Sequence, residues 1–354
     1  MKHSLIIGLF VLCGISCKKK TDTDFDRGSL LNNMASSVIV PAFENTNSSL
    51  ADLHAKAQNF TTTANASTLG ELKADFLIAY KNFERCKMYN FGPLTDYGIK
   101  AAMNTYPTDT GKIETNIGSG SWTLGSAENL VAIGLPALDY LLFSADETTT
   151  INLFTTAPDA DLRKTYLTDI TQKMASEFQP VVDAWNGSYQ SAFTSSDGTD
   201  IGSSASLLFN EFVHDIELLK NAKIGIPCGE SSGGTPLPEM VEAYYSGYSK
   251  TLALENLAGL LNCFTGGSGP GFDDYITDVE GETEAPLAIE ITDQFSVIQT
   301  KVNALGTIFS TDVMTNYTGF NAAYQEIKKL ITFIKTDMAS KLGLLITYSD
   351  SDGD

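Results

Sequence analysis

Histidine is the scarcest reactive residue in this 354-residue chain: His3 sits in the amino-terminal segment, and only His54 and His214 lie in the body. His214 follows Glu211 at an i, i+3 spacing, which on a helix puts imidazole and carboxylate on one face. Such a pair can hold a metal or satisfy itself, and the second use is the commoner one for a polar helix face. Gly229, Ser231 and Gly233 in the string GESSG have nucleophile-elbow spacing, but an elbow needs a strand entering the serine and a helix leaving it. Here a loop flanks it, and two histidines leave a Ser or Cys nucleophile with almost no choice of base. There is no HExxH, no CxxC and no Gly-rich phosphate loop. Asp22, Asp24 and Asp26 open like a calcium loop, yet the glycine at 28 comes one place late and the twelfth position is Asn33 rather than Glu, which excludes calcium there.

The elements that must carry any site are helical. Leu72, Phe76, Tyr80 and Phe83 recur at three- and four-residue steps, with Glu71, Lys73, Asp75 and Glu84 off the stripe. Ile327, Leu330, Ile331, Ile334, Met338, Leu342 and Leu345 repeat the pattern, with lysines on the other faces. Similar periodicity predicts helices near 30–58, 126–143, 159–186, 203–222, 237–263, 288–305 and 317–346, with loops at 105–125, 187–204, 224–238 and 265–287. No segment sustains the period-two alternation that would force a sheet. The expected fold is all-α, with a first helical-bundle lobe over 30–190 and a second over 200–346, divided in the 187–204 loop.

Met1, Lys2 and His3 precede the apolar run LIIGLFVL, too short to span a membrane and followed by small residues up to Cys17. The stretch GISC resembles the lipobox of bacterial lipoproteins. The expectation is a signal peptide at 1–16, lipidation of Cys17, a tether over 17–29, and an acidic tail at 347–354. With 43 acidic against 23 basic side chains the formal charge is −20, which argues against a nucleic-acid backbone as partner. Between Lys250 and Lys301 there is no basic residue, while Glu255, Asp273, Asp274, Asp278, Glu280, Glu282, Glu284, Glu290 and Asp293 supply nine charges; the simplest reading is a solvated surface insertion. In an exported protein a Cys228–Cys263 disulfide is permitted, leaving Cys86 buried and free.

Five strings in order resemble the imelysin family, over roughly residues 35–345. These are FLIAYKNFERCKMYNFGP (76–93), MNTYP (103–107), IGLPALDYLLF (133–143), LLKNAKIGIP (218–227) and EAYYSGYSKTLALENLAGLLNCFTG (242–266). The resemblance implies a periplasmic or outer-membrane protein, often a lipoprotein, of two helical-bundle lobes of related topology, linked either to metallopeptidase activity or to bacterial iron uptake. Both rest on a Gly-x-His-x-x-Glu motif. Here Gly134 keeps the glycine, but Pro136 stands at the histidine and Asp139 at the glutamate. Pro136 also implies a helix start or kink. On the partner helix the family's first Glu is kept as Glu84, while Lys87 takes the place of the second acidic residue, implying a Lys87–Asp139 ion pair where a cation would sit.

Two carboxylates, Glu84 and Asp139, are then the whole metal set for iron or another divalent cation, and catalysis is not expected. Glu84, Lys87, Tyr89, Gly134, Asp139 and Tyr140 become the candidate ligand-binding residues. The expected protein is a monomeric, lipid-anchored envelope protein of the outer membrane, non-catalytic, binding iron or haem alongside outer-membrane uptake components. The alternatives are a metallopeptidase with a rearranged site using His54 or His214, and a purely structural surface module.

Overall fold

The computed structural model describes residues 25–281 and 286–347. Their regular elements are all helices, with no strand among the described residues. Asp26 caps the first helix, Arg27–Asn33, by accepting the Ser29 N–H, so helix begins inside the stretch expected to be tether. The signal segment, Cys17 and residues 348–354 lie outside the described residues. This lead runs through a π-helical turn, Met34–Ile39, into α1, Val40–Thr62.

A capping box closes the start of α2, Ala66–Cys86: the Asn65 side chain takes the Thr68 N–H, and the Thr68 hydroxyl takes the Asn65 N–H. Its buried stripe is the expected Leu72, Phe76, Tyr80 and Phe83, extended by Leu69 and, one four-residue step past Tyr80, by Glu84. Glu84 thus points into the protein, not away from the stripe. Beyond it come α3 (Ile99–Asn104), α4 (Gly134–Phe143) and the long α5 (Ala160–Ala184), and α1, α2 and α5 pack as one group.

A second group is built from α6 (Ser204–Leu218), which continues as π-helical Leu219–Gly225, with α7 (Ser249–Thr265), α8 (Phe272–Glu280), α9 (Pro286–Asn303) and α10 (Tyr317–Thr332). The groups meet where α7 crosses α2. At the crossing a Cβ on Gly259 would come within 2.9 Å of the Arg85 Cα and carbonyl oxygen, so only glycine permits this approach. A continuous apolar core joins both groups.

Departures from the expected elements have local causes. Residues 187–204 were expected as loop, yet a π-helical turn, Trp185–Tyr189, and a helix, Gln190–Ser195, occupy the first half of the segment. Trp185, Tyr189 and Phe193 are spaced by four and form a stripe among serines and glycines; Phe193 stacks on Phe91 at 5.6 Å, which places the segment in the first group's core. A helix at Thr110–Ser119, capped by Asp109, lies inside the expected 105–125 loop. Conversely, the helix expected from 237 starts only at Ser249, because Ala243 (φ 50°) and Gly247 (φ 71°) leave the helical region.

The acid-rich stretch is structured too. Asp273, Asp274, Asp278 and Glu280 fall on α8, Glu255 pairs with Lys81 and Arg85, and Glu280 pairs with Lys341; Glu282 and Glu284 lie outside the described residues. The Cys228–Cys263 disulfide does not form: Cys86, Cys228 and Cys263 are all free and buried. Each thiol has its own surroundings, Cys86 against the Thr46 hydroxyl at 3.2 Å and Cys228 against the Gly225 carbonyl at 3.4 Å. Burial pushes the Cys86 thiol up to about 12 and Cys228 to about 11, so neither is a nucleophile. Among the described residues no helix is long and apolar enough to cross a membrane.

Candidate functional site

Gly134 is what brings the motif helix to its place. Its φ is +74°, and a Cβ there would lie 2.4 Å from the Met103 carbonyl oxygen and 2.6 Å from that of Ala102. The start of α4 therefore rests directly on the end of α3, the helix carrying Lys100 and Asn104. Pro136 follows in the first turn of α4, where backbone N–H groups have no helical partner and the missing one costs nothing. It marks a helix start and no kink.

One turn on, Asp139 is 1% exposed and reaches the second group. Its carboxylate accepts the Tyr245 N–H at 2.8 Å and the Ser246 N–H at 3.0 Å. Burial pushes its carboxyl up to about 6, against those hydrogen bonds. Lys87 does not pair with it, contrary to expectation. Tyr140 serves another contact: its hydroxyl donates to Glu114, which is gripped by both terminal nitrogens of Arg163 at 3.0 and 2.6 Å. Tyr89 is buried edge-on against Phe43 and is a core residue.

Glu84 and Lys87 instead belong to an ion network between the helix groups. The Lys87 ammonium lies 3.0 Å from the Glu84 carboxylate and 3.8 Å from Asp215 on α6; Lys223, from the π-helical segment, lies 2.9 Å from Glu84 and pairs with Glu242. Asn104 donates to Glu242 at 2.8 Å and to Glu84 at 3.3 Å, and itself accepts the Tyr80 hydroxyl at 2.6 Å. Asn256 donates to Asp215 at 2.5 Å. Lys100 lies 3.7 Å from Asp215. Three carboxylates and three ammoniums thus balance within one buried cluster.

Electrostatics differ across the cluster. Burial and the neighbouring Glu242 carboxylate push Glu84 up to about 7, against the pull of Lys223 and Lys87. Burial also opposes ionisation of Glu242 and Asp215, but the lysines outweigh it and hold both carboxyls below their usual range. The lysines divide too: Glu242 and Glu84 raise Lys223 despite burial, whereas burial wins at Lys100 and lowers it.

Beside this network lies a cavity of about 330 Å³ lined by Lys87, Lys100, Asn104, Thr105, Tyr106, Leu218, Ala222, Lys223, Ile226 and Met240. A neighbouring cavity of about 240 Å³, with Tyr106 in both walls, is lined by Asp139, Glu239 and the tyrosines Tyr244 and Tyr245. The network members Lys100, Asp215, Lys223 and Glu242 were not anticipated. The available signal was polar residues inside apolar helical runs, such as Asp215 between Phe212 and Leu219.

The remaining candidates are elsewhere or self-satisfied. His54 faces the Thr171 hydroxyl at 3.0 Å on α5, and burial lowers its pKa. His214 lies 3.5 Å from Glu211, the self-satisfying arrangement expected of that spacing. The GESSG string is turn after the short helix Ile226–Cys228, with no strand entering it. Among the described residues no three His, Cys, Asp or Glu side chains gather as a metal site would need.

Fold and site define an all-helical protein whose candidate site lies where two helix groups meet. The chain belongs to the imelysin family, whose model matches residues 39–335. Two solved structures share the fold at 18% sequence identity. An imelysin-like protein from Psychrobacter arcticum aligns with a TM-score of 0.76 over 92% of this chain and 99% of its own. A protein from Parabacteroides distasonis, given the name iron-regulated protein A precursor, aligns with a TM-score of 0.77 over 91% and 97%. No curated protein matches the chain.

Proposed function

We propose that this chain is a non-catalytic binding protein of the cell envelope, held to the outer membrane by a lipid on Cys17 and serving iron acquisition as a monomer alongside outer-membrane uptake components. The observation that carries the non-catalytic part is the occupancy of Glu84: two lysine ammoniums lie 3.0 and 2.9 Å from its carboxylate. A hydrolytic zinc centre needs typically three protein ligands and an open position for water. Here Pro136 supplies no ligand, Asp139 is held by two backbone N–H groups, and Glu84 is already neutralised. These residues do not fit a resident iron or zinc ion, so no chemical step is assigned to one. The link to iron rests on the family resemblance and on the name borne by the Parabacteroides relative.

Incubation of the purified protein with unfolded polypeptides, with and without added zinc, should give no cleavage. Chelator-sensitive cleavage that disappears in Glu84→Gln would overturn the non-catalytic reading. A deletion strain should grow poorly only under iron limitation; equal growth with and without the gene would remove the acquisition role.

A further inference from the structure

We infer that the 330 Å³ cavity is a binding site for a small organic anion, a carboxylate or phosphate carrying a compact apolar part, with Lys100 as its principal anchor. The inference deepens the binding-protein reading and rests on it. Its first support is the sorting of charge around the cavity. Lys87, Lys100 and Lys223 line the wall, whereas none of their carboxylate partners, Glu84, Asp215 and Glu242, does. The network is balanced as a whole, but the surface it turns to the cavity is cationic. A concave wall of one sign concentrates a ligand of the other.

Lys100 supplies the second, independent support. Its ammonium is buried and has no hydrogen-bond partner among the described residues; the Asp215 oxygen, at 3.7 Å, is beyond hydrogen-bond reach. Lys87 and Lys223 are committed to carboxylates at 3.0 Å or less. Three N–H donors on a buried ammonium are costly to leave unused, and an anionic oxygen in the cavity would take them. Gly134 fixes their position, because α4 can rest on α3 only without a side chain there. The rest of the wall includes Leu218, Ala222, Ile226 and Met240, which suits an apolar body and disfavours a fully hydrated ion.

Calorimetric titration of the full folded chain with phenyl phosphate, benzoate and inorganic phosphate tests this. At least one of the two aromatic anions should bind with a dissociation constant below about 1 mM, and more tightly than inorganic phosphate. Lys100→Gln should weaken that binding at least about tenfold, the worth of a charge-assisted hydrogen bond, while Lys328→Gln, on an exposed helix face, should leave it unchanged. Met240→Glu, which adds a carboxylate to the half-buried part of the wall, should abolish binding and serves if Lys100→Gln does not fold. Lack of binding by all three probes, or equal affinity in Lys100→Gln and Met240→Glu, would overturn the inference. Either result would leave the peptidase and growth assays above untouched, so the two readings fail separately.

Discussion

Asp139 and Glu84 are buried carboxylates that each bridge the two helix groups, and they are held by different means. Asp139, from α4, is held by two backbone N–H groups of the 241–248 turn. Glu84, from α2, is held by the ammoniums of Lys87 and Lys223. Amide dipoles fix where a chain segment sits but bring no net charge. Ammoniums bring charge, and here they bring it to a cavity wall. The contrast explains why the Asp139 side forms an acidic, tyrosine-lined cavity and the Glu84 side a cationic one.

The largest expected effect comes from breaking the charged side. Lys223→Met leaves Glu84 and Glu242 buried with one fewer cation, and removal of one partner of a buried pair costs about 3–5 kcal/mol. Urea unfolding at neutral pH should show that loss; a loss below about 1 kcal/mol would mean that the network is not electrostatically required. On the other side, Asp139→Ala leaves two backbone donors unsatisfied and should cost about 2 kcal/mol. It should also increase hydrogen exchange in the 241–248 turn without altering α2. A loss spread evenly over both regions would erase the distinction between them.

A smaller effect is the dependence on pH. Asp139 and Glu84 are raised to about 6 and about 7, so the stability they contribute is present below their ordinary values and is lost as pH rises through those folded values. Asp215 and Glu242 are depressed, and what they contribute is present above their ordinary values and is lost as pH falls through their folded ones. Thermal unfolding should therefore give the highest Tm in mildly acid solution, with a decline from about pH 5 to 8 that is shallower in Asp139→Asn. A Tm that rises steadily over that range would contradict the assignment.

The helical class was legible because Leu72, Phe76, Tyr80 and Phe83 repeat at helical spacing, and the family was legible because five strings keep their order. Segment 187–204 misled because Tyr189 and Phe193, which continue a four-residue stripe from Trp185, sit among residues typical of loops. The disulfide expectation failed because compartment permits a bond but tertiary packing decides it. At the site, Glu84, Lys87, Gly134 and Asp139 could be named from the motif, yet the expected Lys87–Asp139 pair was wrong. Lys87 instead meets Glu84 three residues before it, and the further members Asp215 and Lys223 lie far along the chain, where local spacing does not say which distant side chain will complete a buried pair. Lys100 carried no motif at all; only the cavity singles it out.

The ammoniums of Lys87 and Lys223, at 3.0 and 2.9 Å, stand against Glu84 where a metal ion would otherwise sit. Elemental analysis of protein purified without chelator, followed by titration with iron and zinc, tests this directly. The expected result is no stoichiometric metal and a Tm unmoved by chelator. One metal ion per chain that is lost in Glu84→Gln would contradict it.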